Sequence, residues 1–320
     1  MKGWSLKTQW SNEDKDALTF GEGDNRCGCY IEVEDGLLVP RGYEGFSYTD
    51  TSVSLGGEIK EMTPINLRAE QVPAVQAIMD AIDRPGKGAI LFAPCGKGKT
   101  VMGLEMIRRL GRKALVLVHK SFLVDQWVER ANTFLPEAKV GLWQRDQIPT
   151  GDEDIVIGMV QSIVNPRRTY PSEVYEMFGT IVADETHRYA APMWQDAISN
   201  FPASYRIGLT ATPERKDKLH DVFYAHIGQI AYYMEGHKRV PLIWRIDTDT
   251  SFPPRSYAMY NGDVNTAKLV TMVSKEEDRT DRIVGFAIRA LKKGRKVLIL
   301  SERVAHTKEM NELLKTKVGE

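Results

Sequence analysis

Two short stretches, far apart along the chain, hold residue types suited to handling a nucleoside triphosphate. The first runs Leu91-Phe-Ala-Pro-Cys-Gly-Lys-Gly-Lys-Thr and ends at Thr100. Gly96 and Gly98 allow backbone angles that turn successive N–H groups onto phosphate oxygens, and Pro94, Cys95 and Lys97 complete the loop. Lys99 is placed to reach the β- and γ-phosphates, and the Thr100 hydroxyl is a ligand suited to magnesium. A helix opening at Thr100 would aim its N-terminus at the same anion. The loop departs from the strict pattern, because Ala93 stands where a first glycine would be. The second stretch is Asp184-Glu185, closing the apolar run Thr180-Ile-Val-Ala. Asp184 can hold the metal directly or through water, and Glu185 can orient or deprotonate an attacking water. His187 either relays contacts toward a coupling segment or caps the following turn. Lys99, Thr100, Asp184 and Glu185 together imply an NTPase with a magnesium cofactor.

For these groups to meet, the intervening chain must fold them onto one edge. From Pro64 onward, short aliphatic runs alternate with amphipathic ones. Ala89–Ala93, Ala114–Val118, Asp154–Val160, Thr180–Ala183 and Tyr205–Leu209 are lightly charged, which predicts strands buried on both faces of a parallel sheet. Val101–Leu110 and Phe122–Phe134 predict helices between them. The alternation predicts an α/β fold, a doubly wound parallel sheet with helices on both faces. Each polar motif follows a strand, so the motifs should converge outside the strands' carboxyl ends.

A third segment, Gly208-Leu-Thr-Ala-Thr-Pro-Glu-Arg, follows the last of these strands. Its hydroxyls, Thr210 and Thr212, can bridge toward Asp184 and His187 and transmit nucleotide state, or simply form a threonine-rich turn. The proline at 213 predicts a rigid loop.

Residues 1–62 read differently. Cys29-Tyr-Ile-Glu-Val-Glu, Gly36-Leu-Leu-Val and Gly45-Phe-Ser-Tyr-Thr are strand-like pieces between glycine and acidic turns, predicting a small β-rich accessory domain. Residues 63–238 form the main α/β domain. Residues 239–320 suggest an incomplete second one, with strands at Leu242–Ile246 and Lys296–Leu300 and helices at Lys275–Leu291 and Ser301–Leu314.

The 320 residues are 42% hydrophobic and 27% charged, as in globular proteins. No apolar run approaches the roughly 18 residues of a membrane span, and the first residues lack the apolar core of a signal peptide. Three cysteines without secretory features predict a reducing, cytoplasmic compartment. Cys27-Gly-Cys29 falls short of the four ligands of a structural zinc site, so a structural reading is preferred. Formal net charge is +0, with six basic against eleven acidic residues among the first sixty. Any polynucleotide contact must therefore come from a local groove rather than a global basic field.

Ala-x-x-Gly-x-Gly-Lys-Thr at 93–100, Asp-Glu-x-His at 184–187 and Leu-Thr-Ala-Thr-Pro-Glu-Arg at 209–215 resemble motifs I, II and III of superfamily 2 helicases. Val118-His-Lys-Ser-Phe-Leu-Val-Asp-Gln-Trp resembles motif Ia, and Leu67-Arg-Ala-Glu-Gln the upstream glutamine motif. The run from Asp184 to Trp194, leading to Tyr205–Arg215, is most similar to the XPB/UvsW-type branch. The resemblance covers residues 64–239 strongly, 275–314 weakly and the first sixty not at all. It implies RecA-like domains, ATP selected by Gln71 and Arg68 at the adenine edge, and a monomeric motor working on branched or forked DNA. Lys120, Ser121, Gln161 and Ser162 would touch one strand's phosphodiester backbone, which positions the strand without reading its sequence. Asn165-Pro-Arg-Arg-Thr-Tyr is either a further DNA contact or a solvated basic loop.

One departure matters. The family closes its ATP site with arginines of a late motif, and no Gln-x-x-Arg-x-x-Arg follows the motif IV-like segment Val297–Leu300. The expectation is a truncated form that binds ATP and hydrolyses it poorly alone. An RNA helicase and a nucleotide-gated DNA-binding module without motor activity are the competing readings.

Overall fold

The five runs predicted as strands are all strands of one sheet. The structure, a computed structural model, describes residues 4–318 except 22–25, 44, 47–49, 52, 84–85, 186–190, 213–218, 237–241, 249–250 and 261. Residues 1–238 make one compact unit and residues 239–320 a second.

The chain opens with β1 (Trp4–Lys7), α1 (Asn12–Ala17), β2 (Thr19–Phe20), β3 (Cys27–Gly28), β4 (Ile31–Val33), β5 (Gly36–Pro40) and β6 (Asp50–Thr51). Ser11 and Asp14 form a reciprocal capping box that starts α1. Four strands form an antiparallel sheet in the order β4-β5-β1-β6, with Leu18, Leu37 and Val39 as its small core. The expected strand at 45–49 lies partly outside the described residues. Two anchors fasten this part to the larger sheet. The buried Arg41 guanidinium donates to the carbonyls of Pro202 (3.4 Å) and Ala203 (2.6 Å), and Ser54 exchanges backbone hydrogen bonds with Pro202 and Ser204.

The main domain continues with α2 (Val72–Ala81), β7 (Gly88–Phe92), α3 (Lys99–Leu110), β8 (Ala114–Val118), α4 (Ser121–Phe134), β9 (Val140–Trp143) and β10 (Ile155–Met159). It closes with α5 (Val160–Ile163), α6 (Ser172–Glu176), β11 (Thr180–Asp184), α7 (Ala191–Ser199), β12 (Tyr205–Thr210), α8 (His220–His226) and β13 (Ile230–Tyr233). Seven strands, every neighbouring pair parallel, run in the order β13-β7-β12-β11-β8-β10-β9. The period of two along each strand divides the core. Ala114, Val116, Val118, Val182, Ile207 and Leu209 join the layer that holds α2, α3 and α4. Leu115, Leu117, Ile181 and Ala183 join the layer under α5 to α8. Both faces of the sheet are thus filled, which is why the central strands carry almost no polar residues. The edge strands β9 and β13 escaped the sequence reading. Only one neighbour covers each, and β13 alternates partly buried with exposed residues instead of running apolar.

A buried carboxylate fixes the approach to the site. Glu105 of α3, 2% exposed, accepts from Arg108 Nε and Arg109 Nε at 2.8 Å each and from the Ile65 backbone N–H at 3.2 Å. The segment that leads into α2 is therefore tied to the same helix that bears Lys99.

Residues 239–320 carry α9 (Thr266–Val273), α10 (Glu277–Lys292) and α11 (Val304–Val318). The two helices expected here are present as α10 and α11. The two expected strands are not. Leu242 and Trp244 are 83% and 72% exposed, and Leu298 and Leu300 81% and 83%. A strand exists by pairing its backbone with a neighbour, and among the described residues of this unit no strand lies beside either segment. No helix among the described residues is long and apolar enough to cross a membrane.

Candidate nucleotide-binding site

The glycine-rich loop leaves the sheet between β7 and α3. Ala93 N–H donates to the Thr210 carbonyl at 2.9 Å, so the loop starts level with the end of β12. Gly96 and Gly98 both have φ +81°, a conformation that disfavours any side chain. At Gly98 a Cβ would also fall 2.4 Å from Nε2 of Gln71. That backbone turn delivers Lys99 as the first residue of α3, with Gly98 as its left-handed cap.

Strand parity delivers the acids. Thr180, Val182 and Asp184 share one face of β11, the face covered by α3 and α4. Asp184 is 5% exposed, and its Oδ2 accepts a 2.8 Å hydrogen bond from the Trp127 indole of α4. Burial pushes the Asp184 carboxyl up to about 6, against the opposing pull of the Trp127 bond. Glu185 follows at φ +51°, in the left-handed region that a glutamate seldom adopts. Its Oε1 lies 3.1 Å from Lys99 Nζ, which also donates to the Ala93 carbonyl at 3.3 Å. Lys99, Thr100, Asp184 and Glu185 all line one cavity of about 360 Å3, with Cys95, Gly96 and Gly98 on its loop side. The donor set fits a metal–triphosphate. A lysine and a helix start match the anion, while the Thr100 hydroxyl and Asp184 carboxylate are the hard oxygen ligands magnesium takes.

Comparisons with known proteins bear on the same part of the chain. Residues 64–215 match the family model described as "Type III restriction enzyme, res subunit", a span that contains the loop, both acids and the threonine segment. Residues 64–215 thus form a domain of the superfamily 2 helicase type. It is 28% identical over 296 residues to a mimivirus protein (Acanthamoeba polyphaga mimivirus) named as a candidate ATP-dependent RNA helicase, covering 89% of this chain and 56% of that one. It is 31% identical over 168 residues to the DNA 3'-5' translocase XPB2 of Sulfurisphaera tokodaii, covering 52% of this chain and 36% of the relative. The chain thus spans about half the length, or less, of these two relatives. In three dimensions the UvsW helicase of bacteriophage T4 superimposes with a TM-score of 0.52 at 17% identity, over 68% of this chain and 91% of that one, which establishes the shared fold.

The other described residues singled out in the sequence lie outside the lining of this cavity. Gln71 is buried, and both ends of its amide are engaged: Oε1 accepts from Arg68 N–H at 2.9 Å, and Nε2 donates to the Lys97 carbonyl at 2.8 Å. Arg68 reaches the same Lys97 carbonyl at 2.6 Å, and the Lys97 ammonium pairs with Glu70 at 2.7 Å. The segment before α2 therefore grips the outside of the glycine-rich loop. Thr210 and Thr212 form a local turn, with Thr210 Oγ1 donating to the Thr212 carbonyl at 2.9 Å. Lys120 and Ser121 are exposed where β8 passes into α4. Gln161, after the adjacent β10, donates to the His119 carbonyl at 3.0 Å, which brings these three side by side at the sheet's carboxyl edge. The Ser162 hydroxyl accepts from the Arg145 N–H at 3.1 Å and joins the loop after β9 to that edge. His187 lies outside the described residues, as do positions 213–215 of the threonine segment.

The sequence assigned no role to three residues of α4: Trp127, whose indole bonds Asp184, and Gln126 and Arg130, which line the cavity. The available signal was the spacing of Leu123, Gln126 and Arg130 by three and four along one helix, which places them on one face. Among the described residues there is no group of three or more His, Cys, Asp or Glu side chains placed to hold a metal ion. A hydrogen bond from the Cys29 thiol lowers Cys27 to about 7 and holds Cys29 itself well above the ordinary thiol range.

Proposed function

We propose that this protein is an ATP-dependent DNA helicase or translocase of the repair and recombination type, acting on branched or forked DNA. The observation that carries the reading is the convergence of Lys99, Thr100, Asp184 and Glu185 on a single cavity although 84 positions separate the first pair from the second. Lys99 and the Gly96–Gly98 backbone hold the β- and γ-phosphates, with Pro94, Cys95 and Lys97 shaping the loop. Thr100 and Asp184 hold magnesium, which when bound neutralises charge on the phosphate oxygens. Glu185 orients the attacking water, and His187, Thr210 and Thr212 couple nucleotide state to the polynucleotide edge. Lys120, Ser121, Gln161 and Ser162 meet phosphates there, without base readout. The protein acts as a monomer in the cytoplasm, phage- or virus-borne as UvsW and the mimivirus relative are.

Binding linkage tests the reading. ATP and forked DNA must each tighten the other by the same factor if they share one coupled unit. A fluorescent ATP analogue titrated into the intact chain with magnesium, with and without forked DNA, single-stranded DNA or RNA, measures that factor. Tightening by forked DNA, lost in Lys99→Ala, is the expected result; ATP binding insensitive to Lys99→Ala defeats the proposal. RNA is the second reading, supported by the mimivirus relative's name. A larger factor with RNA than with DNA at matched salt would select it.

A further inference from the structure

The core layer between α3, α4 and the sheet contains one polar bond that apolar packing does not require. Trp127 is fully buried, and a buried indole N–H needs an acceptor. Backbone carbonyls are the common choice; here the acceptor is Asp184 Oδ2, at 2.8 Å across the α4–β11 contact. The Asp184 carboxylate also accepts from the Glu185 backbone N–H. A carboxylate held at fixed points cannot turn freely about its terminal torsion, and outer contacts of this kind set the direction in which a ligand oxygen faces.

The indole is confined on its other side as well. A Cβ on Gly103 of α3 would come within 2.9 Å of the Trp127 Cη2 atom and 3.1 Å of Leu209 Cδ1. Gly103 stands three residues after Thr100, one helical turn along α3. The ring is therefore wedged between the helix that bears Thr100 and the strand that bears Asp184. Those two residues are the magnesium ligands of the proposed site.

We infer that Trp127 is a positioning residue for the metal pair: its N–H sets the Asp184 carboxylate, and its ring sets the separation of Thr100 from Asp184. The inference rests on the nucleotide-site reading above. It differs from a packing role in what it predicts. Loss of packing weakens every ligand alike, whereas loss of positioning weakens only binding that runs through the metal.

The test uses the intact chain and a fluorescent ATP analogue, with magnesium in one arm and EDTA in the other. Trp127→Phe removes the donor and keeps an aromatic ring. The expected result is an affinity about tenfold or more weaker with magnesium and unchanged in EDTA. Equal losses in the two arms, or none with magnesium, overturn the inference. Gly103→Ala supplies a second route should Trp127→Phe fail to fold. The added methyl forces the ring to move while improving helix propensity, so a folded protein with the same magnesium-selective loss is expected, and full magnesium-dependent affinity overturns the inference. Lys99→Ala separates the two levels. If it binds like the wild type in both arms, the nucleotide site itself is wrong, whatever Trp127 does.

Discussion

Lys99 Nζ stands 3.1 Å from Glu185 Oε1, so the lysine of the glycine-rich loop and the acid that follows β11 are joined across the end of the intervening strand β12. In the proposed site, a phosphate arriving at Lys99 would compete with Glu185 for the ammonium group and free the carboxylate to face water. Glu185→Gln should therefore bind MgATP at least as tightly as the wild type while losing about 10²–10⁴ in hydrolysis rate. Lys99→Ala should lose about 10–100-fold in affinity, the worth of one charge-assisted hydrogen bond. Equilibrium binding and single-turnover hydrolysis on both variants check this; weakened binding by Glu185→Gln would contradict the competition.

Asp184 yields a stability prediction of unusual sign. Its folded pKa of about 6 lies above the ordinary 3.8, so the folded state holds the proton more tightly than the unfolded one. Above pH 6 folding carries the full cost of a buried charge. The cost is relieved as pH falls from about 6 toward 4. Asp184→Asn keeps an acceptor for the Trp127 indole and removes the charge. Without nucleotide it should be more stable than the wild type at pH 8, by about 1–3 kcal/mol. The difference should shrink toward zero near pH 4, while magnesium-dependent ATP binding is lost at every pH. Thermal melts of the two proteins across that range decide the matter.

The sheet and its ligand edge were legible in the sequence for a specific reason. Strands such as Ala114–Val118 are buried on both faces, so their identity must be apolar throughout, and the proposed site residues Lys99, Thr100, Asp184 and Glu185 stand at or just beyond strand ends, where that rule stops. The loop glycines were equally legible, because Gly98 adopts φ +81° against Gln71 and no other residue fits. What escaped depended on distant contacts. Trp127 reads as an ordinary core residue until its N–H is seen to meet Asp184, and β13 appears as a strand only because β7 offers it an edge. The opposite error arose at Leu242–Ile246 and Lys296–Leu300. Local β propensity is high there, yet propensity makes no strand without a neighbour.

Cys95 offers a chemical probe of the cavity. It is the exposed one of the three thiols, and it lines the cavity beside Gly96. Cys29 is buried and Cys27 partly so, which favours modification at Cys95 first. Stoichiometric maleimide labelling should lower ATP affinity about tenfold or more by filling the space a phosphate occupies, comparable to the loss of one strong polar contact. Cys95→Ser should bind ATP normally and resist the reagent. Unchanged affinity after complete labelling of Cys95, verified by mass spectrometry, would exclude a phosphate at the loop.

Gln71 separates two ways in which a glutamine motif can act. If its amide reads the adenine edge, replacing it should erase the preference for ATP over GTP and leave the weaker nucleotide's affinity alone. The hydrogen bonds support a different outcome. Oε1 and Nε2 each hold one partner within the chain, Arg68 N–H and the Lys97 carbonyl, and the Arg68 guanidinium grips the same carbonyl at 2.6 Å. Gln71→Ala removes one of two clamps on the outside of the phosphate loop. The expected effect is a similar loss for ATP, GTP and ADP, about 3–10-fold for one neutral hydrogen bond. Gln71→Ala combined with Arg68→Ala should lose more than the two single losses together, since either clamp partly holds the loop alone. Titrating the three nucleotides against each variant distinguishes the cases: a loss confined to ATP assigns Gln71 to the base, and a uniform loss assigns it to the loop.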